Sequence, residues 1–77
     1  RDGTFAVKAV TPVEDFNEYF KTNLDEEEFD TIGGVVLREF GHLPRRGETV
    51  ALGGLRFTIA NADNRVIRLL QVVRSDQ

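Results

Sequence analysis

A chain of 77 residues, of which 40% are hydrophobic and 30% charged, has the composition of a small globular protein with one domain at most. This apolar content excludes an intrinsically disordered chain, and no apolar run approaches the roughly 20 residues that span a bilayer as a helix. The absence of cysteine excludes disulfides, thiolate catalysis and zinc fingers, and it favours a cytoplasmic location over secretion.

The charged residues are unevenly distributed, although the net charge is only -3. Residues 1–40 carry ten acids and four bases, whereas residues 41–77 carry three acids and six bases. An acidic first half argues against nucleic-acid binding, which requires a basic face. Because the chain contains no methionine and begins at Arg1, we expect it to be a fragment or processed product of a larger protein. No signal peptide is visible.

The first predicted elements are a strand and a helix. Thr4 to Val10 alternates between apolar and polar side chains, which is typical of a strand with one buried face. Thr11 is a good N-cap, Pro12 suits the first helical position, and Glu14 can complete a capping box. The predicted helix carries four apolar residues on one face at helical spacing: Val13, Phe16, Phe20 and Leu24.

A second helix is predicted after an acidic stretch. Asp25 can cap a helix, and the carboxylates of residues 26–28 suit the positive end of a helix dipole. Asp30 and Thr31 offer another cap, so the acidic turn and the main helix can be separate pieces. Gly41 is a natural C-terminal stop. The apolar face of this helix recurs at steps of three and four residues: Phe29, Ile32, Val36 and Phe40.

Two glycine pairs interrupt the pattern. Gly33–Gly34 lies inside the second predicted helix, where each glycine is unfavourable by about 1 kcal/mol relative to alanine. Close approach of a strand, another backbone or a ligand is the usual reason. Neither this pair nor Gly53–Gly54 has the spacing of a P-loop or a dinucleotide fingerprint. Turns or packing points are therefore favoured over ligand cradles.

The remainder of the chain predicts three strands in a meander. Residues 44–47 indicate a turn, and residues 48–52 then alternate between polar and apolar side chains, as a strand does. Gly53–Gly54 indicates a two-residue hairpin, and Asp63–Asn64 indicates a second tight turn. Residues 66–73 are apolar on both faces, which is typical of a central strand. The predicted order is β-α-α-β-β-β: a small α+β domain with a mostly antiparallel sheet and both helices on one face.

Few side chains could support catalysis or hold a metal. Ser75 is the single serine, near the end of the chain, and His42 is the single histidine, without a partner to orient it. Asp25, Glu26 and Asp30 are weak metal candidates, because the run lacks the glycine and alternating ligands of a calcium loop and its carboxylates diverge on a helix. We therefore expect no enzyme, no resident metal and no cofactor.

One longer motif is more specific. Residues 29–37 (FDTIGGVVL) are followed by residues 40–44 (FGHLP), by Gly47-Glu48 and by the hairpin around Gly53–Gly54. This string resembles the signature of the transporter-associated domain of the CorC/HlyC family, and the opening residues 2–5 and the closing strand also fit. Two departures are Phe40, where leucine is commoner, and Asn64, where glycine is typical; asparagine also tolerates positive φ.

The resemblance implies the C-terminal domain of a larger protein that follows a pair of CBS domains and sometimes a transmembrane domain. It implies a module that modulates magnesium and cobalt efflux at the inner face of the plasma membrane, with a CBS pair, a transmembrane domain or a second copy as partner. It also implies a fold similar to part of certain FAD-binding domains. It carries over no catalytic residue, and it assigns structural roles in caps, packing points and turns, with a possible interaction surface, to seven residues: Asp30, Thr31, Gly33, Gly34, Gly41, Pro44 and Gly47.

A small-ligand binding module is the alternative function. Its ligand would be an adenine nucleotide, a flavin or a divalent cation. This hypothesis rests on the implied likeness to FAD-binding domains and on the acidic run from Asp25 to Asp30.

Overall fold

Four antiparallel strands form one sheet, in the order β1-β4-β3-β2, in the computed structural model, which describes residues 3–74. The elements in chain order are β1 (Thr4–Lys8), α1 (Val13–Phe20), α2 (Ile32–Phe40), β2 (Thr49–Leu52), β3 (Leu55–Ala62) and β4 (Ile67–Arg74). The predicted α+β class and element order are confirmed. None of the helices between residues 3 and 74 has the length and apolar character needed to cross a membrane.

β4 is the central strand that its sequence predicted, paired with β1 on one side and with β3 on the other. Its core face carries Leu70 and Val72, which are fully buried under the helices. Leu69 and Val73 alternate with them on the opposite face, where they lie outside the hydrophobic core and are only half-buried. The sheet therefore has one face packed on the helices and one face with apolar residues at its centre.

The core lies between this sheet and the two helices. Phe16 of α1 stacks on Phe57 of β3 with ring centroids 5.7 Å apart, and Phe20 meets Phe5 of β1 edge-on at 5.0 Å. Burying each side chain of this size contributes about 1.5–3 kcal/mol. The apolar face predicted for α1 is buried in full, including Leu24 beyond the helix end.

β1 ends two residues earlier than predicted, at Lys8 rather than Val10. Ala9 and Val10 form a turn in which the N–H of Thr11 donates to the carbonyl oxygen of Lys8 at 3.0 Å. Ala9 is nevertheless buried, as the alternation predicted.

The start of α1 also differs from the prediction. Pro12, with extended backbone, is the N-cap residue, and no side chain caps the helix. The expected N-cap at Thr11 and capping box with Glu14 are therefore wrong. The N–H of Val13 instead donates to the carbonyl oxygen of Asp30 at 3.0 Å. A backbone carbonyl from a distant segment therefore accepts the hydrogen bond that a capping side chain would otherwise accept.

The two predicted tight turns are both present, but they close differently. Gly53–Gly54 joins β2 to β3 with φ of 62° and 80°, the positive values that a two-residue hairpin favours. The β3–β4 turn closes through the side chain of Asp63, whose Oδ1 accepts from the N–H groups of Arg65 at 2.8 Å and Val66 at 2.9 Å. Asn64 consequently does not use the positive φ that its side chain would tolerate.

Asn17 is a buried polar residue that no sequence pattern singled out. Its Nδ2 donates to the carbonyl oxygen of Leu24 and to Oε2 of Glu26, both at 2.9 Å. Its Oδ1 accepts from the N–H of Leu24 at 2.9 Å and from the hydroxyl of Thr22 at 2.7 Å. One amide side chain thus holds the connection that leaves α1.

Replacing Asn17 by alanine should lower the free energy of unfolding by about 2–3 kcal/mol, because the buried N–H and C=O of Leu24 lose their partners. Asn23→Ala, at an exposed position in the same connection, is the matched control and should change it by less than about 0.5 kcal/mol. Urea unfolding followed by circular dichroism measures both. Equal unfolding midpoints for the two variants would contradict the stabilising role of Asn17.

Candidate functional site

The signature residues at the start of α2 meet the connection between β1 and α1. We call the two segments, residues 9–13 and 30–34, the junction. Three backbone hydrogen bonds join them: Val13 N–H to Asp30 O at 3.0 Å, Ile32 N–H to Thr11 O at 2.8 Å, and Gly33 N–H to Ala9 O at 2.9 Å. A further bond, from the N–H of Ala9 to the carbonyl oxygen of Arg68 at 3.0 Å, ties the junction to β4.

The N–H groups of Ile32, Gly33 and Gly34, at the start of α2, have no i−4 partner by helix geometry, yet all three are satisfied within the protein. Ile32 and Gly33 donate across the junction. Gly34 donates to Thr31, the N-cap residue, both at its hydroxyl oxygen (3.3 Å) and at its carbonyl oxygen (3.1 Å). The first intrahelical bond follows, from the N–H of Val35 to the carbonyl oxygen of Thr31 at 3.3 Å. A phosphate at a helix N-terminus needs these N–H groups. The junction is therefore a poor nucleotide cradle.

The two junction glycines have different surroundings. A Cβ on Gly33 would lie 2.8 Å from the Cβ of Ala9 and 3.0 Å from its carbonyl oxygen, so the close approach of the two segments requires glycine. A Cβ on Gly34 would meet the ring of Phe29 at 3.4 Å, an ordinary contact. A packing role was expected for both glycines. Within the domain, only Gly33 lies so close to a neighbouring segment that a side chain would not fit.

The remaining signature residues shape the end of α2 and the turn after it. Gly41 is the C-cap of α2, with φ of 78°, and its N–H donates to the carbonyl oxygen of Leu37 at 3.0 Å. Pro44 is buried, and the N–H of Gly47 donates to the carbonyl oxygen of Ile59 at 2.8 Å. These residues act through the backbone and through packing.

The three weak metal candidates do not converge on one point. Oδ1 of Asp25 accepts from the N–H groups of the two residues after Glu26, and Oε2 of Glu26 accepts from Asn17. The acidic stretch forms a turn separate from α2, and Asp30 contributes its carbonyl oxygen to the junction. Among residues 3–74, no three histidine, aspartate or glutamate side chains lie close enough together to hold a metal ion.

His42 has a partner that the sequence did not reveal. Its Nε2 lies 3.4 Å from Oε1 of Glu48, and both side chains are exposed. The N–H of Arg45, which donates to Oε2 of Glu48 at 2.7 Å, lowers the pKa of Glu48, and the neighbouring His42 lowers it further. Ser75, the other candidate catalytic residue, lies outside the described residues.

An apolar groove beside the junction is a second feature that sequence reasoning missed. It has a volume of about 240 Å³ and lies between the turn after β1, α2 and the β3–β4 turn. We call it the junction groove; its lining residues are Ala9, Val10, Thr31, Gly33, Gly34, Leu37, Arg65, Val66 and Ile67. The sequence feature that could have indicated this groove is the presence of valine at positions 10 and 66, which lie in turns, where polar residues are usual.

The fold and the junction define a transporter-associated domain. The chain belongs to the family described as CorC_HlyC, transporter associated domain, which it matches over residues 1–76. Its curated relatives include the magnesium and cobalt efflux protein CorC of Escherichia coli (strain K12), which is 52% identical over 69 residues, 90% of this chain and 23% of the relative. CorC of Vibrio cholerae is 51% identical over 73 residues, 95% of this chain and 25% of the relative. The chain thus spans about a quarter of the length of these relatives.

Solved structures give the same fold. The CorC-associated region of a Mg²⁺ and Co²⁺ transporter from Neisseria meningitidis superposes with a TM-score of 0.92 at 49% identity, covering 96% of this chain and 91% of that chain. The CorC_HlyC domain of a Xylella fastidiosa hemolysin, in complex with Mg²⁺ and Mn²⁺, has a TM-score of 0.86 at 26% identity, covering 99% and 92%. Neither of these structures is an FAD-binding domain. The likeness to FAD-binding domains that the resemblance implies therefore stays a prediction.

The junction geometry predicts opposite effects for two neighbouring substitutions. Gly33→Ala should destabilise the protein by about 1–3 kcal/mol, because its Cβ would collide with Ala9. Gly34→Ala is the matched control and should be neutral or stabilising by up to about 1 kcal/mol, since it adds helix propensity without a clash. Urea unfolding of both variants measures the difference. Equal destabilisation by the two substitutions would contradict the close approach at Gly33.

A second prediction concerns acid stability. The N–H of Arg65, the N–H of Val66 and the side chain of Arg68 lower the pKa of Asp63 from its ordinary value of 3.8. The stability that ionised Asp63 contributes is therefore present above pH 3.8 and is lost as the pH falls through the lowered folded-state pKa.

Asp63→Asn should accordingly show a smaller fall in urea midpoint than the wild type as the pH drops from about 6 to about 2. Asn64→Ala changes the same turn without removing a titrating group, so it should keep the wild-type pH dependence. An Asp63→Asn variant whose midpoint follows the wild-type curve would show that this turn does not contribute to acid sensitivity.

Proposed function

We propose that this chain is a regulatory and interaction domain of a CorC-type magnesium and cobalt efflux protein. It modulates ion transport through contacts with other protein segments rather than through chemistry of its own. The observation that carries the proposal is the use of the signature residues. The residues that identify the family form backbone hydrogen bonds and packing contacts inside the domain, so what the signature maintains is a shape.

The proposed setting is a longer protein in which this domain follows a pair of CBS domains, at the inner face of the plasma membrane. The proposed partners are that CBS pair, a transmembrane domain of the same or a partner protein, or a second copy of the domain. Support comes from the relatives named as magnesium and cobalt efflux proteins, of which the chain spans about a quarter.

Two observations weigh against other functions. The N–H groups at the start of α2 are already bonded, which disfavours a nucleotide or flavin phosphate there. The His42–Glu48 pair is exposed on the surface, where an enzyme would instead place its acid–base group in a cleft. We therefore propose no catalytic role for the domain.

Deleting this domain from the full-length efflux protein should reduce the export of magnesium and cobalt, because the contacts that set transport activity are lost. The measurement is the cobalt content of cells after a cobalt load, together with the amount and oligomeric state of the truncated protein. A Gly33→Ala protein, in which the junction is strained, should fall between the deletion and the wild type. Unchanged transport together with unchanged assembly after the deletion would overturn the proposal.

A further inference from the structure

Exposed apolar side chains converge on the junction groove. Of the four large apolar residues that are most exposed among residues 3–74, three line it: Val10 at 73%, Leu37 at 40% and Val66 at 44% exposure. Single exposed apolar side chains are normal on a protein surface, whereas a contiguous patch indicates a contact site. These three come from the turn after β1, from α2 and from the β3–β4 turn, so the fold assembles the patch.

Gly34 contributes backbone to the lining of the groove. A Cβ at this position would lie 3.4 Å from the ring of Phe29, which does not line the groove, so an alanine methyl group there would pack inside the domain.

The charge of the groove selects the chemistry of the partner. Arg65 is the single charged residue among those that line it. Within residues 3–74, Arg65 forms no ion pair, whereas Arg68 in the same hairpin is held by Asp63 at 2.8 Å. An apolar groove with one cation at its rim and no acid in its lining is complementary to an apolar group beside a carboxylate.

The size of the groove suits a small occupant. Its volume of about 240 Å³ is below the roughly 300–1,000 Å³ of pockets that bury a drug-sized molecule. It is suited to a single inserted side chain, the usual anchor of a protein contact.

We propose that the junction groove docks a polypeptide segment that inserts one bulky apolar side chain between Val10, Leu37 and Val66 and places a neighbouring carboxylate on Arg65. This inference rests on the proposed function as an interaction domain, to which it adds the contact surface and the chemistry of the partner segment.

The test is a titration of the ¹⁵N-labelled chain with two capped hexapeptides, Gly-Asp-Leu-Phe-Asp-Gly and Gly-Lys-Leu-Phe-Lys-Gly, followed by NMR. The acidic peptide should shift the amide signals of Gly34, Leu37 and Val66 saturably. It should bind about fivefold more tightly than the lysine peptide, as expected for an exposed ion pair.

Two variants separate docking from folding. Arg65→Glu should reverse the preference between the peptides, whereas Arg46→Glu, a charge reversal at an exposed position outside the groove lining, should leave it unchanged. Val10→Ser should weaken binding of the acidic peptide about fivefold, because it removes the most exposed apolar side chain of the patch. Since Val10 is 73% exposed, this variant should lose binding without losing stability, which a merely structural role of Val10 cannot produce.

Several outcomes would overturn the proposal. They are no saturable shift at millimolar peptide, equal effects of Arg65→Glu and Arg46→Glu, or unchanged binding by Val10→Ser. Groove signals that move with protein concentration alone would assign the surface to a second copy. Signals that move only with vesicles of equal parts phosphatidylcholine and phosphatidylglycerol would assign it to a lipid surface.

The groove assignment and the proposed function can fail independently. If deletion of the domain impairs transport but neither peptide binds, only the groove assignment is wrong. If the acidic peptide binds but deletion has no effect on transport, only the proposed function is wrong.

Discussion

The rest of the structure depends on the backbone hydrogen bonds of the junction. They bind the connection after β1 to the start of α2, and the bond from Ala9 to Arg68 fastens both to the central strand. Buried backbone N–H groups must find partners. Here each segment satisfies the other, so both helices are positioned on the sheet by one set of contacts, and their apolar faces can close over Leu70 and Val72.

This constraint also explains why the start of α2 offers no free N–H groups at Ile32, Gly33 and Gly34 for an anion. An N-terminal helix turn preceded by a hydroxyl and containing two glycines has the parts of an anion site. In this protein those parts are already engaged, with the hydroxyl of Thr31 on Gly34 and the N–H groups of Ile32 and Gly33 on backbone carbonyls. On the outside of the junction, apolar side chains line a groove beside the backbone of Gly34.

Much of the fold could be predicted because its signals are local. The spacing of Val13, Phe16 and Phe20 defines a helix face, and Gly53–Gly54 defines a hairpin, without reference to the rest of the chain. The start of α1 could not be predicted, because the group that satisfies the N–H of Val13 is the carbonyl oxygen of Asp30, and backbone pairing across that separation leaves no residue signature. A buried, fully bonded Asn17 is equally invisible to hydrophobic periodicity.

The candidate site, like the fold, could be predicted from the sequence only in part. The importance of Gly33–Gly34 was predictable from the cost of glycine in a helix, but the distinction between the two depends on where Ala9 lies in three dimensions. The junction groove was not predictable, because Val10, Leu37 and Val66 come from three separate elements that only the three-dimensional fold brings together.

Native-state amide hydrogen exchange at Ile32 and Gly33 tests the central claim most directly. If the junction holds the helices on the sheet, these two amides should exchange only through global unfolding, with the same opening free energy as the central residues of β4. Exchange of both amides at rates close to those of an unfolded chain, while β4 remains protected, would contradict the account.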